Sequence, residues 1–263
     1  MRRFWCVRSS IGASLVLLFM CASGCASSFY GWQVRTTSTP VAPSFDQTPV
    51  KGKPVAILPA LSTPILRGTE VGLSHHLAQV LKTLTPNWKV VDEQEALTDL
   101  NKQGLGTEYI RMRKDAEETH LLDRESLRKI GAALGARYIF QPRLASFTQT
   151  MTDRFSVPVA GVRVSQTRSS VMRISLQLWD VESGELIWSS VAETALESEA
   201  VSQDPVFLED AVRVTLGGLM ADFLNRRTAS KYTPLNEVLN KLVRESIPEE
   251  QKNVSSEGEA KVK

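Results

Sequence analysis

Met172, Ile174, Leu176 and Leu178 alternate strictly with Arg173, Ser175, Gln177 and Trp179, and no other stretch of the chain restricts the fold so tightly. Period-two alternation is the pattern of a strand with one buried face. Val181-Glu182-Ser183-Gly184 then supplies a turn, and Leu186 to Thr194 a second strand-forming run. Together they predict an antiparallel hairpin.

A different pattern precedes it. Pro54-Val55-Ala56-Ile57-Leu58-Pro59 is a short apolar run closed by prolines, the mark of a buried strand. Leu73, Leu77, Val80, Leu81 and Leu84 recur at helical spacing, and Pro86 closes that helix. Trp88 to Val91 gives another strand, and Asp92-Glu93-Gln94-Glu95 the acidic first turn of another helix. Such β-α-β-α order favours a parallel pair with helices packed on the sheet. Gly104 to His120 reads as a mixed-charge, solvated helix. Asp123 caps a further helix with Leu127, Ile130 and Leu134 inward and Gly135 at its end.

Tyr138 to Phe147 follows as a strand, in which Pro142 predicts an edge position or a bulge. Asp204 and Pro205 open the last long helix, with Leu208, Val212, Leu216, Leu219 and Phe223 as its buried stripe. Gly217-Gly218 inside it costs about 1 kcal/mol per Gly relative to Ala, so close packing or a kink is expected there. The fold class is α/β, a single domain over residues 54–228. Its mixed sheet has a parallel β-α-β start and an antiparallel C-terminal hairpin, packed by helices.

The two ends of the chain are of another kind. Arg2, Arg3 and Arg8 precede an apolar run from Ile11 to Met20, shorter than the ~20 residues of a spanning helix, and this predicts a secretory signal. Ala22-Ser23-Gly24-Cys25 resembles the lipobox of bacterial lipoproteins. That resemblance implies removal of residues 1–24 and acyl chains, palmitate among them, on Cys25. Ala26 stands where an Asp would resemble an inner-membrane retention signal, so the outer membrane, facing the periplasm, is the expected location. Residues 25–53, with Pro40, Pro43 and Pro49 among Ser, Thr and Gln, read as a disordered tether. Its coil span would be about 30 Å, or ~85 Å as extended polyproline II. Phe29, Tyr30 and Trp32 have two placements open, at the lipid interface or folded back on the domain. Within 229–263, Leu235, Val238, Leu239 and Leu242 suggest a short amphipathic helix before a disordered tail from Pro248.

Composition removes several classes of function. A net charge of +2, from 31 basic and 29 acidic residues, offers no field for nucleic acid. Of three cysteines, Cys6 and Cys21 leave with the signal, so no disulfide pair remains. Histidine occurs only as His75, His76 and His120, and neighbours on a helix point ~100° apart, so His75 and His76 do not form an i, i+4 metal pair. No phosphate-binding loop or nucleophile elbow occurs, and no catalytic, metal or cofactor residue is assigned. Gly131 and Gly135 are explained by helix-to-sheet packing. Asp180, Glu182 and Glu185 surround one turn and are expected to be structural. Trp179 and Trp188 flank that turn, either packing across strands or forming a contact patch for a partner.

The order of elements resembles a group of bacterial envelope lipoproteins and periplasmic domains. The group comprises the curli-assembly lipoprotein family, the lipoprotein activators of penicillin-binding proteins, and the N-terminal domain of the Tol-Pal propeller protein. The residues carrying the likeness are Val55 to Pro59, Leu134 to Phe140, and Leu176 to Trp188. It implies a lipid-anchored, non-enzymatic binding or assembly module that docks another envelope protein, with self-association left open. Membership of the curli-assembly family would instead make the chain a subunit of an oligomeric secretion channel whose insertions form barrel hairpins. Thr148 to Arg168 is the one candidate insertion; a spanning strand needs ~9 to 11 residues, so two strands and a turn would use all of it. The site between Leu196 and Asp204 is shorter still. A soluble β extension is therefore expected. The enzyme alternative is a cell-wall or glycan hydrolase.

Overall fold

The structure, a computed structural model, describes residues 29–45, 54–66, 72–157, 162–200 and 208–232. Eight strands form one mixed sheet, β1 (Phe29–Ser38), β2 (Val55–Ile57), β3 (Leu61–Ser62), β4 (Val90–Val91), β5 (Tyr138–Val157), β6 (Val162–Asp180), β7 (Leu186–Ala200) and β8 (Ala229–Tyr232). They lie in the order β4-β2-β5-β6-β7-β1-β8, with β3 also paired to β5. Five helices pack on the sheet, α1 (Leu73–Leu84), α2 (Glu93–Lys102), α3 (Gly106–Thr119), α4 (Arg124–Ala133) and α5 (Leu208–Leu224).

The expected parallel start is present, since β2 runs parallel to both β4 and β5. The hairpin of β6 and β7 is present too, with Met172 opposite Thr194 and Leu178 opposite Trp188. Helix α2 begins where Asp92 accepts from the Glu95 N–H at 3.1 Å, and α4 where Asp123 accepts from the Ser126 N–H at 2.8 Å. Pro142 sits on a central strand rather than an edge. It lies opposite Leu176 on one side, and on the other it falls between the short β2 and β3 pairings, where no ladder N–H is required. The irregularity comes two residues later, between Leu144 and Ser146.

The tether expected over 25–53 needs correction. Phe29–Ser38 is a strand inside the sheet, paired antiparallel to β7 on one side and β8 on the other. Its Ser and Thr residues suggested a solvated coil, yet Thr36 and Ser38 are buried beside Val34 while Arg35 and Thr37 are exposed. Buried hydroxyls there have partners, the Thr36 hydroxyl donating to Asp222 and the Ser38 and Ser190 hydroxyls lying 2.6 Å apart. Beyond residue 228, Ala229–Tyr232 is likewise a strand, so the sheet extends past both expected domain boundaries. The short helix expected over 235–242, the capping residues Asp204 and Pro205, and the signal segment lie outside the described residues.

Two cores result. On one face α1 and α5 cover a core that includes Val34, Ile57, Phe140, Ile174, Leu178, Trp188 and Phe223. On the other, α2, α3 and α4 cover a smaller one with Ala56, Leu58, Leu127, Ile139 and Trp179. Glycines permit both contacts. A Cβ at Gly131 would lie 2.2 Å from Val181 Cγ1, and one at Gly218 would lie 3.1 Å from Val34 Cγ1, so α4 and α5 approach the sheet at these points. Gly135, at φ +61, ends α4 in the left-handed region.

Candidate functional site

The three helices on the second face shelter the β4-β2-β5 end of the sheet and the Trp179 end of β6, where Trp179 joins their core and the Gln177 amide donates to the His120 carbonyl oxygen at 3.5 Å. Over the Val171–Arg173 stretch of β6, and over β7 and β1, that face packs against no helix among the described residues. The side chains it presents follow from the strand alternation. Val171, Arg173, Val191, Arg35 and Thr37 are exposed, and Ser175, Gln177, Ser189 and Glu193 are half-buried. Register then sets a row of charges across three strands, because Arg173 lies opposite Glu193, and Glu193 opposite Arg35. The Arg173 guanidinium donates to Glu193 at 2.6 Å. This open face is a flat, hydroxyl-rich surface with alternating sign, bordered by two exposed valines.

At the end of the β6–β7 hairpin, the turn carboxylates differ in burial and partners. Asp180 is 2% exposed and accepts from the backbone N–H groups of Glu182 and Ser183 at 2.8 and 3.0 Å. Arg137 donates to its other oxygen at 3.0 and 2.7 Å and to Glu182 at 2.5 Å. Burial pushes the Asp180 carboxyl up, but the Ser183 N–H and the Arg137 guanidinium outweigh it, holding the group below the usual carboxylate range. A carboxylate fixed in this way shapes a turn and is a poor proton carrier at neutral pH. Glu185 accepts from Ser44 at 2.9 Å and is exposed.

Trp179 and Trp188 do not form a contact patch. They are 4% and 1% exposed and belong to the two different cores, on opposite faces of the sheet. The register shift between Leu178 and Trp179 separates them, with Trp188 opposite Leu178 and its ring centroid 4.9 Å from that of Phe223 at a 53° tilt. Contact with a partner through either indole is ruled out while the domain stays folded.

His75 and His76 meet edge to face with ring centroids 5.8 Å apart, and His120 lies on another helix. His76 is buried where α1 meets α5, and its Nδ1 lies 3.3 Å from Arg213 Nε. Burial pushes its pKa below the ordinary value, and the Arg213 charge adds to the effect. His75 turns outward to Gln79, and His120 ends α3 at φ 62. No cluster of three metal-ligating side chains occurs among the described residues. A hollow of about 20 Å³ near His120, Gln141 and Arg143 has room for about one water molecule. No described helix is long and apolar enough to cross a membrane.

One buried group escaped the sequence reading. Asp222 on α5 is fully buried and accepts from the hydroxyls of Thr36, Ser230 and Tyr232, the last two at 2.7 and 2.5 Å. It therefore fastens β1 and β8 to α5. Burial and the Asp222 carboxylate push Tyr232 up to about 12. The signal available in the sequence was an Asp on the stripe side of a helix, one residue before Phe223.

The fold defines a mixed α/β domain with one sheet half covered on both faces and the other on one. No protein-family model matches the chain, and no curated protein matches it. Among solved structures it is similar to the PelC dodecamer from Paraburkholderia phytofirmans, at 13% identity and TM-score 0.38 over 72% of this chain and 95% of that one. It is similar to lipoprotein GNA1162 from Neisseria meningitidis, at 13% identity and TM-score 0.36 over 66% and 96%. The LpoB C-terminal domain from Salmonella enterica gives 17% identity and TM-score 0.31 over 54% and 82%. Likenesses this loose transfer no function.

Proposed function

We propose that the chain is a lipid-anchored, non-enzymatic module of a bacterial envelope. Acyl chains on Cys25 hold it to the outer membrane on the periplasmic side, and it docks a folded envelope protein through the open face of β6, β7 and β1. The observation that carries this reading is the uncovered face itself, with its row Arg173, Glu193, Arg35 between exposed Val171 and Val191. A plus-minus-plus row complements a surface of opposite alternation and repels a polyanion at its centre, which favours a protein over a nucleic acid. The non-enzymatic part of the reading is supported by Asp180, the buried carboxylate of the turn, whose oxygens accept from two backbone N–H groups and from Arg137.

A photo-crosslinking residue placed at Arg173 or Val191 in intact cells tests it. The expected outcome is one discrete adduct with an envelope protein from both positions and none from Ile110, which is exposed on α3. Adducts equally strong from all three positions would overturn the docking face. An adduct with a second copy of this chain, together with a closed ring by light scattering in detergent, would replace it with the channel alternative. Alanine at Glu182 and Glu185 is expected to leave function intact; its loss would revive the hydrolase alternative.

A further inference from the structure

Strand β1 begins at Phe29, only four residues after Cys25. Whatever their conformation, four residues span at most about 14 Å. The position of Phe29 in the sheet therefore limits where an acylated Cys25 can lie, and the register gives that position. Phe29 is opposite Glu199 on β7, Glu199 is opposite Thr167 on β6, and Thr167 is opposite Thr152 on β5. Past this row, among the described residues, β5 and β6 continue furthest, from Asp153 to Val157 and from Val162 to Gln166. At the rise of a strand they reach about 17 Å further. The acylated cysteine thus lies within about 14 Å of one end of the row from which the β5–β6 hairpin extends by about 17 Å.

The opposite end is far away. From Thr167 to Asp180 along β6 is about 40 Å, and α4 packs beside the Asp180 turn through Gly131 and Val181. Strand β1 cannot swing freely to change this arrangement, because it is paired on both sides from Val34 to Thr37 and its Thr36 is bonded to Asp222.

We propose that β1 acts as a short leash that stands the domain upright on the bilayer, with residues 153–157 and 162–166 of the hairpin at the headgroup surface and the Asp180 turn about 50 Å above it. The ligand of the hairpin end is a lipid surface, and this orientation rests on the acylation of Cys25 proposed above. The open face of β6, β7 and β1 then stands perpendicular to the membrane, available from the side.

The test uses the full-length acylated protein in vesicles containing headgroup spin-labelled lipid. Since the acylated Cys25 is the one cysteine left after signal removal, a fluorophore can be attached at S156C near the hairpin end or at S183C in the far turn. Loss of emission from the first and none from the second is expected. Equal loss from both means that the domain lies flat, and no loss from S156C means that the hairpin end stands clear of the lipid; either overturns the orientation. A second variant carries a flexible Gly/Ser insertion between Ser27 and Ser28. It is expected to abolish the loss of emission at S156C, and retention would show that the leash does not place the hairpin. Intact mass of the purified protein separates the two readings, because a chain without acyl mass refutes the anchor itself, whereas an acylated chain with an unquenched S156C label refutes only the orientation.

Discussion

The two halves of the sheet are built from similar alternation but are stabilised differently. At the β4-β2-β5 end, Val55, Ala56 and Ile57 are all buried, because helices press on both faces. At the β7-β1-β8 end one face packs on α5 while the other meets solvent, and polar pairs supplement the apolar contacts: Thr36 with Asp222, Ser38 with Ser190, Thr194 with Thr215. The difference teaches that the first half holds the fold together and the second is fastened to it at a few polar points. Local opening should therefore begin at β1 and β8.

The largest effect is expected at the doubly covered end. Phe140→Ala should cost about 3 to 5 kcal/mol in urea unfolding, since Phe140 is fully buried between Phe223 and the neighbouring strands. A cost as small as that of a surface change would break the comparison. Asp222→Ala should cost about 2 to 4 kcal/mol, because it removes the acceptor shared by the hydroxyls of Thr36, Ser230 and Tyr232. Its effect should be uneven, with amide exchange in β1 and β8 accelerated more than in β2 and β5; uniform acceleration would show that the two halves are not distinct. Gly131→Ala should cost about 1 to 3 kcal/mol through overpacking against Val181, and the same unfolding measurement on Gly131→Ala with Val181→Ala should recover part of it.

Acid should act on the α1–α5 contact in a window of its own. The folded pKa of His76 is below its ordinary value of 6.5, so its contribution is complete above that pH and is lost as pH falls through the folded pKa. Thermal unfolding should show stability declining below that pH, and His76→Gln should remove this part of the slope. Glu209, Arg213 and His75 face His76 and modulate the slope without reversing its sign. Asp180, depressed from 3.8, adds a separate loss only at lower pH. The smallest effect is expected at Glu193→Ala. Its pair with Arg173 is half exposed, so double-mutant analysis of stability should give under about 1 kcal/mol. A larger coupling would mean that the open face is already rigid without a partner.

The sequence made the doubly covered half legible because burial there is apolar. Val55 to Leu58 reads as a run buried on both sides and Leu73 to Leu84 as a helical stripe, while the Met172 to Leu178 alternation marks the strand with one buried face beside them. The β1 strand was missed for a physical reason. Its buried positions include Thr36 and Ser38, whose partners are Asp222 and Ser190, more than 150 residues away in sequence, and local composition carries no trace of them. The placement of the Trp pair depends on register. A hairpin without irregularity would place both indoles by simple alternation, whereas the shift after Leu178 sends them into different cores. The open face was half legible, since Arg173, Ser175 and Gln177 were visibly the polar side of their strand. What the strand could not reveal was that no described helix would come to cover Arg173.

The placement of β1 between β7 and β8 also has a consequence in time. Its partners are residues 190–199 and 229–232, and the second of these is the last described strand to be made. Pairings of such long sequence separation form slowly, and the one with β8 cannot form until residue 232 has emerged. The first described strand is thus among the last to find its place, and truncation before Tyr232 would leave the beginning of the described domain, not only its end, unfinished.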